Sequence, residues 1–141
     1  MTADGIPDSY RDAPRWSFGD SPALADALLA LVLAGTKRAT CESLAACEAN
    51  IMPRAGEISV ILDGAGKPAC AIETTGVAVM RFTEVDQAFA FEEGEDDRTL
   101  ASWRQAHRGY FERQGSYRED MQVVCERFKL LDVFERPESR R

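Results

Sequence analysis

Histidine occurs once, at His107, and the four cysteines, Cys41, Cys47, Cys70 and Cys125, never fall into C-x-x-C spacing. A zinc site would have to be assembled from scattered thiols, against the usual ligand spacings. No metal or other cofactor is therefore expected, and reduced thiols in the cytoplasm are the simplest account of the cysteines. With no second histidine and no hydrolase-type serine motif, a Ser-His-Asp triad is unsupported. Basic residues are also few, 17 against 24 acids, which leaves a net charge of −7. Such a chain is poorly suited to non-specific binding along a phosphate backbone, although a local basic pocket for a nucleoside is compatible with it. Long apolar runs are missing as well: the longest, residues 24–34, carries Asp26 and is too short to span a bilayer. The N-terminus, "MTADGIPDSYRDAPRW", has neither a basic n-region nor an apolar h-region, so no signal peptide and no membrane association are expected.

What is present is a soluble-type composition, 45% hydrophobic and 29% charged over 141 residues, enough for one domain with a core of its own. No internal repeat or linker interrupts it, and residues 1–13 and 137–141 read as loose polar ends. Ser21 followed by Pro22 starts a helix over about 22–34, with Leu24, Leu28, Leu31 and Val32 on one stripe. Gly35 suits its left-handed cap. A short extended piece over 37–42 and one or two helical turns in "SLAACEAN" come next.

A β-rich block begins with "EISVILD", turns at Asp63-Gly64, and continues through "KPACAIETT" and "GVAVMRF". In the last piece Val77, Val79 and Arg81 face one way, with Ala78, Met80 and Phe82 facing the other. Thr83 with Asp86 resembles a capping pair for a short helix. After the acid run from Glu92 to Asp97, expected as a solvated loop, a second long helix spans about 98–114. Its stripe is Leu100, Trp103, His107, Tyr110 and Phe111, and Gly115 closes it. "MQVVCERFKLLDVFE" alternates as a strand but slips near Glu126, which predicts a bulge. Helices segregated from mostly antiparallel strands make the fold class α+β, a small curved sheet or barrel.

Within "GTKRAT", residues 35–40, Lys37 and Thr40 stand three apart. On a regular strand that spacing puts them on opposite faces, so only a bend after Gly35 brings ammonium and hydroxyl together. Once paired, a lysine of lowered pKa can take the hydroxyl proton and make the threonine a nucleophile. The alternative is that Lys37 and Arg38 neutralise the negative end of the preceding helix. A phosphate loop is excluded, because it needs a helix starting where this one ends. Glu73, in the apolar stretch "PACAIETTG", needs a partner if buried, and Lys37 is the economical one; the alternative is an edge-strand glutamate in solvent. His107 is either a hydrogen-bonded core residue or, like Arg104, a group that contacts substrate or a developing oxyanion. Trp16 and Phe18 of "WSFGD" either line a pocket for a base ring or staple the helix start.

The segments "WSFGDSPALADALLALVLAGTKRAT", "VILDGAGKPACAIETTGV", "EVDQAFAFEEGEDDRTLASWRQAHRGYF" and "VCERFKLL" together resemble the ASCH domain, a small β-barrel family of the PUA-like superfamily. The resemblance spans about residues 14–135, and its most specific element is G-x-K-x-x-T, met by Gly35, Lys37 and Thr40. The "EGE" and "W-R-x-x-H" segments look like the larger ASCH subgroup. The resemblance implies a deep cleft with the G-x-K-x-x-T segment in its wall. It further implies RNA binding, as in PUA-like relatives, or hydrolysis of N4-acetylcytidine by a lysine, a threonine and a later glutamate. Ribonuclease activity is reported for another member. Lys37 and Thr40 carry over by motif, and Glu73 by strand position. The expected activity is amide hydrolysis on a nucleoside-like substrate, Lys37 acting as base toward Thr40. The alternative is a non-catalytic module binding short RNA or a nucleotide.

Overall fold

The computed structural model describes residues 6–134. Five strands form one mixed sheet: β1 (Arg15–Trp16), β2 (Ala39–Ser43), β3 (Ile58–Leu62), β4 (Pro68–Arg81) and β5 (Gln122–Val133). Among the described residues four α-helices accompany them: α1 (Pro22–Leu33), α2 (Leu44–Ala49), α3 (Gln87–Glu93) and α4 (Leu100–Arg113). The spatial order is β1-β3-β4-β5-β2, antiparallel throughout except for the parallel β1–β3 pair. This is the expected α+β architecture, but the sheet is open: β1 and β2 are its edges, and it does not close into a barrel. Among the described residues no helix is long and apolar enough to cross a membrane.

Local chemistry explains the principal elements. Ser21 caps α1 by accepting from the Leu24 amide at 3.1 Å. At the other end Gly35 takes φ +79°, its amide bonds Val32 and that of Thr36 bonds Leu31, a Schellman closure. Ala25, Leu28, Leu29 and Val32 are the buried face of the helix, and the last three pack with Phe18 and with Ile61, Ile72 and Phe128 of the sheet. Thr99 caps α4, whose Trp103, His107 and Phe111 are buried, and Gly115 repeats the same closing motif. Asp86 caps α3 by itself, accepting from Phe89, so Thr83 is not its capping partner.

The two β-rich pieces after the Asp63 turn are one 14-residue strand, β4. Val77, Val79 and Arg81 are exposed along it while Ala78 and Met80 turn inward. The slip in β5 has two origins. Opposite Phe128 and Arg127 the extra residue is Thr75 on β4, and β5 carries its own at Leu131. The N-terminal stretch is not wholly loose: Ile6 is 1% exposed and packs with Val60, Ala71 and Phe134, and Tyr10 lies against Phe134. Residues 1–5 and 135–141, including the tail at 137–141, lie outside the described residues.

Candidate functional site

Between α1, α4 and the β2–β5 end of the sheet lies a cavity of about 690 Å³. Its position follows from the turn at Gly35. The closing motif that ends α1 also bonds the Lys37 amide to Leu31, and the chain then runs straight into β2. Lys37 therefore sits before the strand, where its side chain points into the protein and is 1% exposed. Thr40, on the strand, is half-buried and lines the cavity.

Lys37 and Thr40 do not pair. The Lys37 ammonium donates to the Ala39 carbonyl at 2.8 Å, to Glu93 Oε1 at 2.9 Å and to Glu95 Oε2 at 2.8 Å, which uses all three of its protons. Neither does Lys37 act as the exposed cap charge of α1. Burial disfavours its charged form, but Glu93 and Glu95 outweigh that, and its pKa is raised rather than lowered. A proton-accepting role for Lys37 toward Thr40 is thus not what this geometry provides.

The two carboxylates come from the acid run expected to be solvated. The run instead folds back onto Lys37: Glu93 ends α3 at 1% exposure, and Glu95 follows after Gly94. Gly94 takes φ +72°, and a Cβ there would come within 3.0 Å of the Lys37 amide nitrogen, so only glycine lets the two backbones approach. The Arg38 amide closes the contact by donating to the Glu92 carbonyl at 2.7 Å.

Glu93 is fully engaged. Its second oxygen accepts from Trp103 Nε1 at 2.6 Å and faces His107 Nε2 at 3.1 Å. Burial would raise its pKa, but Lys37 and His107 hold it well below the carboxylate range. His107 has acceptors on both sides, since Nδ1 lies 3.0 Å from the Trp103 carbonyl oxygen. Both ring nitrogens then donate, which makes the ring an imidazolium. Burial opposes this charge, yet Glu93 raises the pKa above 6.5. His107 thus belongs to the core network and to the cavity wall at once.

Glu95 differs from Glu93. Among the described residues only its Oε2 is bonded, the side chain is 20% exposed, and it lines the cavity. Burial pushes its pKa up against the pull of Lys37. Glu93, Glu95 and His107 lie close enough together to share a cation, with ligand atoms within 4.8 Å of one another. The donor set does not suit one: the Lys37 ammonium already occupies the space between the carboxylates, and His107 has no free lone pair.

The other predicted residues divide. Trp16 and Phe18 line the cavity in edge contact at 5.0 Å, with the Lys37 ammonium 5.6 Å from the Phe18 ring centre. Glu73 is elsewhere. It stands on β4 opposite Lys129, whose ammonium is 3.8 Å away, so it does not partner Lys37 and does not line the cavity. Arg104 is exposed, its guanidinium 3.4 Å from the Thr83 carbonyl, and it also stays outside the cavity. All four cysteines are buried.

Sequence reasoning missed Glu93, Glu95 and Glu126. Helical spacing was the available signal for Glu93, which falls on the same face as Phe89 and Ala90. For Glu126 it was strand spacing, which sets it on one face with Val124 and Phe128.

The chain matches the ASCH domain family over residues 14–132. Among solved structures it is similar to an ASCH domain from Lactobacillus crispatus JV V101, with 33% identity and TM-score 0.79 over 90% of this chain and 87% of that one. It is likewise similar to protein EF3133 from Enterococcus faecalis V583, with 34% identity and TM-score 0.77 over 88% and 83% of the two chains. The hypothetical protein PH0355, at 13% identity and TM-score 0.59, covers 83% of this chain and 99% of its own length and shares the fold alone. No curated protein matches. Of the G-x-K-x-x-T segment Thr40 lines the cavity, whereas Gly35, expected to bind substrate, and Lys37 do not. With a family match across nearly the whole described fold, the protein belongs to the ASCH domain family.

Proposed function

We propose that the cavity is the active site of an amidohydrolase acting on a small, uncharged, nucleoside-like molecule, with N4-acylcytidines as the substrate class. The observation that carries this is Glu95, which the buried Lys37 ammonium holds at 2.8 Å and which lines the same cavity as Thr40. The residue roles differ from a lysine-base scheme. Lys37 stays an ammonium and holds Glu95 in place, and Glu95, with one oxygen unbonded and a raised pKa, is the proton acceptor. The Thr40 oxygen adds to the acyl carbon as Glu95 takes its proton. The carbon–nitrogen bond breaks and the amine leaves with that proton. Water, deprotonated by Glu95, then adds to the acyl carbon, the bond to the Thr40 oxygen breaks, and Thr40 takes that proton back as the acid leaves. Trp16 and Phe18 supply an aromatic wall for a ring.

The charge around the cavity favours this over RNA binding or a ribonuclease. Glu42, Glu57, Glu93, Glu95, Asp96 and Glu126 line it, against the cations of Arg15, Arg113 and His107. A phosphate chain entering there meets repulsion rather than released counterions.

Incubation with N4-acetylcytidine, followed by chromatography, is expected to yield cytidine and acetate. Thr40→Ala and Glu95→Gln should each lower kcat by about 10²–10⁴, with an unchanged circular dichroism spectrum. Absence of cleavage across a panel of N4-acylcytidines overturns the substrate class.

A further inference from the structure

A second carboxyl in the cavity, on another strand from the Lys37 cluster, is left with an open acceptor. Glu126 is on β5, directly opposite Thr40 of β2 in the antiparallel register. Residues opposite one another in such a pair share a face, and both line the cavity. Glu126 is 7% exposed, so its carboxyl is largely out of water. Thr74 of β4 donates its hydroxyl to Oε2 at 2.6 Å and so fixes the group. No group among the described residues bonds Oε1. A buried carboxyl oxygen without a partner is costly, and here the open side is the cavity.

We propose that Glu126 Oε1 is the specificity-determining acceptor of the site: it takes a hydrogen bond from the exocyclic N–H of an aminopyrimidine or its N-acyl derivative. The pairing is the one by which carboxylates read the cytosine amino group. It also accounts for placement. In an N-acyl amide the N–H nitrogen is bonded to the carbon that is attacked, so an amide held by Glu126 presents that carbon to the neighbouring Thr40. Burial, the largest influence on Glu126, raises its pKa, and the Thr74 hydroxyl opposes this by donating to the carboxylate. The inference rests on the hydrolase reading for its substrate class, but its test is binding rather than turnover.

Calorimetric titration of the full chain with cytidine and with uridine reads the proposal directly. Uridine carries a carbonyl where cytidine carries the amino group. Wild type is expected to prefer cytidine by about tenfold or more. Glu126→Gln keeps the shape and the Thr74 bond but turns a donor toward the ligand, and should reverse the preference. Thr74→Val releases the carboxyl and should shrink the preference without reversing it. Retention of the cytidine preference by Glu126→Gln overturns the proposal, as does failure of the wild type to bind either nucleoside. If Glu126→Gln does not fold, N4,N4-dimethylcytidine decides on the wild type: lacking the N–H, it should bind as weakly as uridine, and binding equal to cytidine overturns the proposal. Reversal by Glu126→Gln without wild-type cleavage of N4-acetylcytidine sinks the hydrolase reading alone. Cleavage with an unreversed preference sinks this inference alone.

Discussion

At the level of single residues, the largest commitment is an ammonium with no access to water. Lys37 is tolerable inside because Glu93 and Glu95 each hold one of its protons and the Ala39 carbonyl holds the third. Glu93 also answers Trp103 and His107, so its removal orphans three donors at once. Glu93→Gln is expected to cost about 3–5 kcal/mol in urea unfolding, and a loss below about 1 kcal/mol would mean the network is not structural. The imidazolium gives a signed pH dependence. Its folded pKa lies above 6.5, so its contribution is fully present below that value and fades as pH rises through the folded pKa. Glu93 behaves oppositely: its folded pKa lies below 4.5, so its contribution is present above 4.5 and fades only in acid. Unfolding free energies of wild type and His107→Gln should therefore differ most below about pH 6.5 and converge toward alkaline pH. A gap that widens with pH would show that His107 is neutral in the folded protein.

Among the elements, the turn from α3 to α4 decides whether a site exists. Gly94 combines φ +72° with close contact to the Lys37 backbone, whereas Gly56 has φ +90° and open space around its Cβ direction. Gly56→Ala should cost only backbone strain, about 1–2 kcal/mol. Gly94→Ala adds a collision worth about 1–3 kcal/mol more and should displace Glu93 and Glu95 from Lys37. Thermal unfolding of the two variants compares them, and equal losses would mean the close approach carries no weight. The same turn shows what could be foreseen. Helices α1 and α4 were legible because periodicity and capping residues are local, and both lie within two residues of their expected ends. The Lys37 segment was legible as a motif. Its partner was not, because Glu73 and Glu93 are both acids in mixed surroundings. Which one reaches Lys37 depends on how α3 docks beside β2, a contact between residues more than fifty positions apart. Charge density around Glu92–Asp97 suggested solvent, and only the helical spacing of Glu93 from Phe89 and Ala90 pointed inward.

For the molecule as a whole, the excess of acid is both global and local. The net charge is −7, and six of the acids face one cavity. A neutral ligand gains from that wall through hydrogen bonds, whereas a phosphorylated one also meets like charge within about one Debye length, ~10 Å at 0.1 M salt. The contrast separates a nucleoside site from an RNA site without reference to catalysis. Cytidine should bind with an affinity nearly independent of salt. Cytidine 5′-monophosphate should bind about tenfold more weakly at low ionic strength, and the gap should narrow as salt is raised, because screening relieves repulsion. An RNA-binding surface gives the opposite slope, since its affinity falls as salt competes for the phosphates. Titration of both ligands at low and high sodium chloride therefore has two distinguishable outcomes. If the monophosphate binds more tightly than the nucleoside and weakens with salt, the cavity is a phosphate site despite its lining, and the hydrolase assignment falls with its choice of substrate.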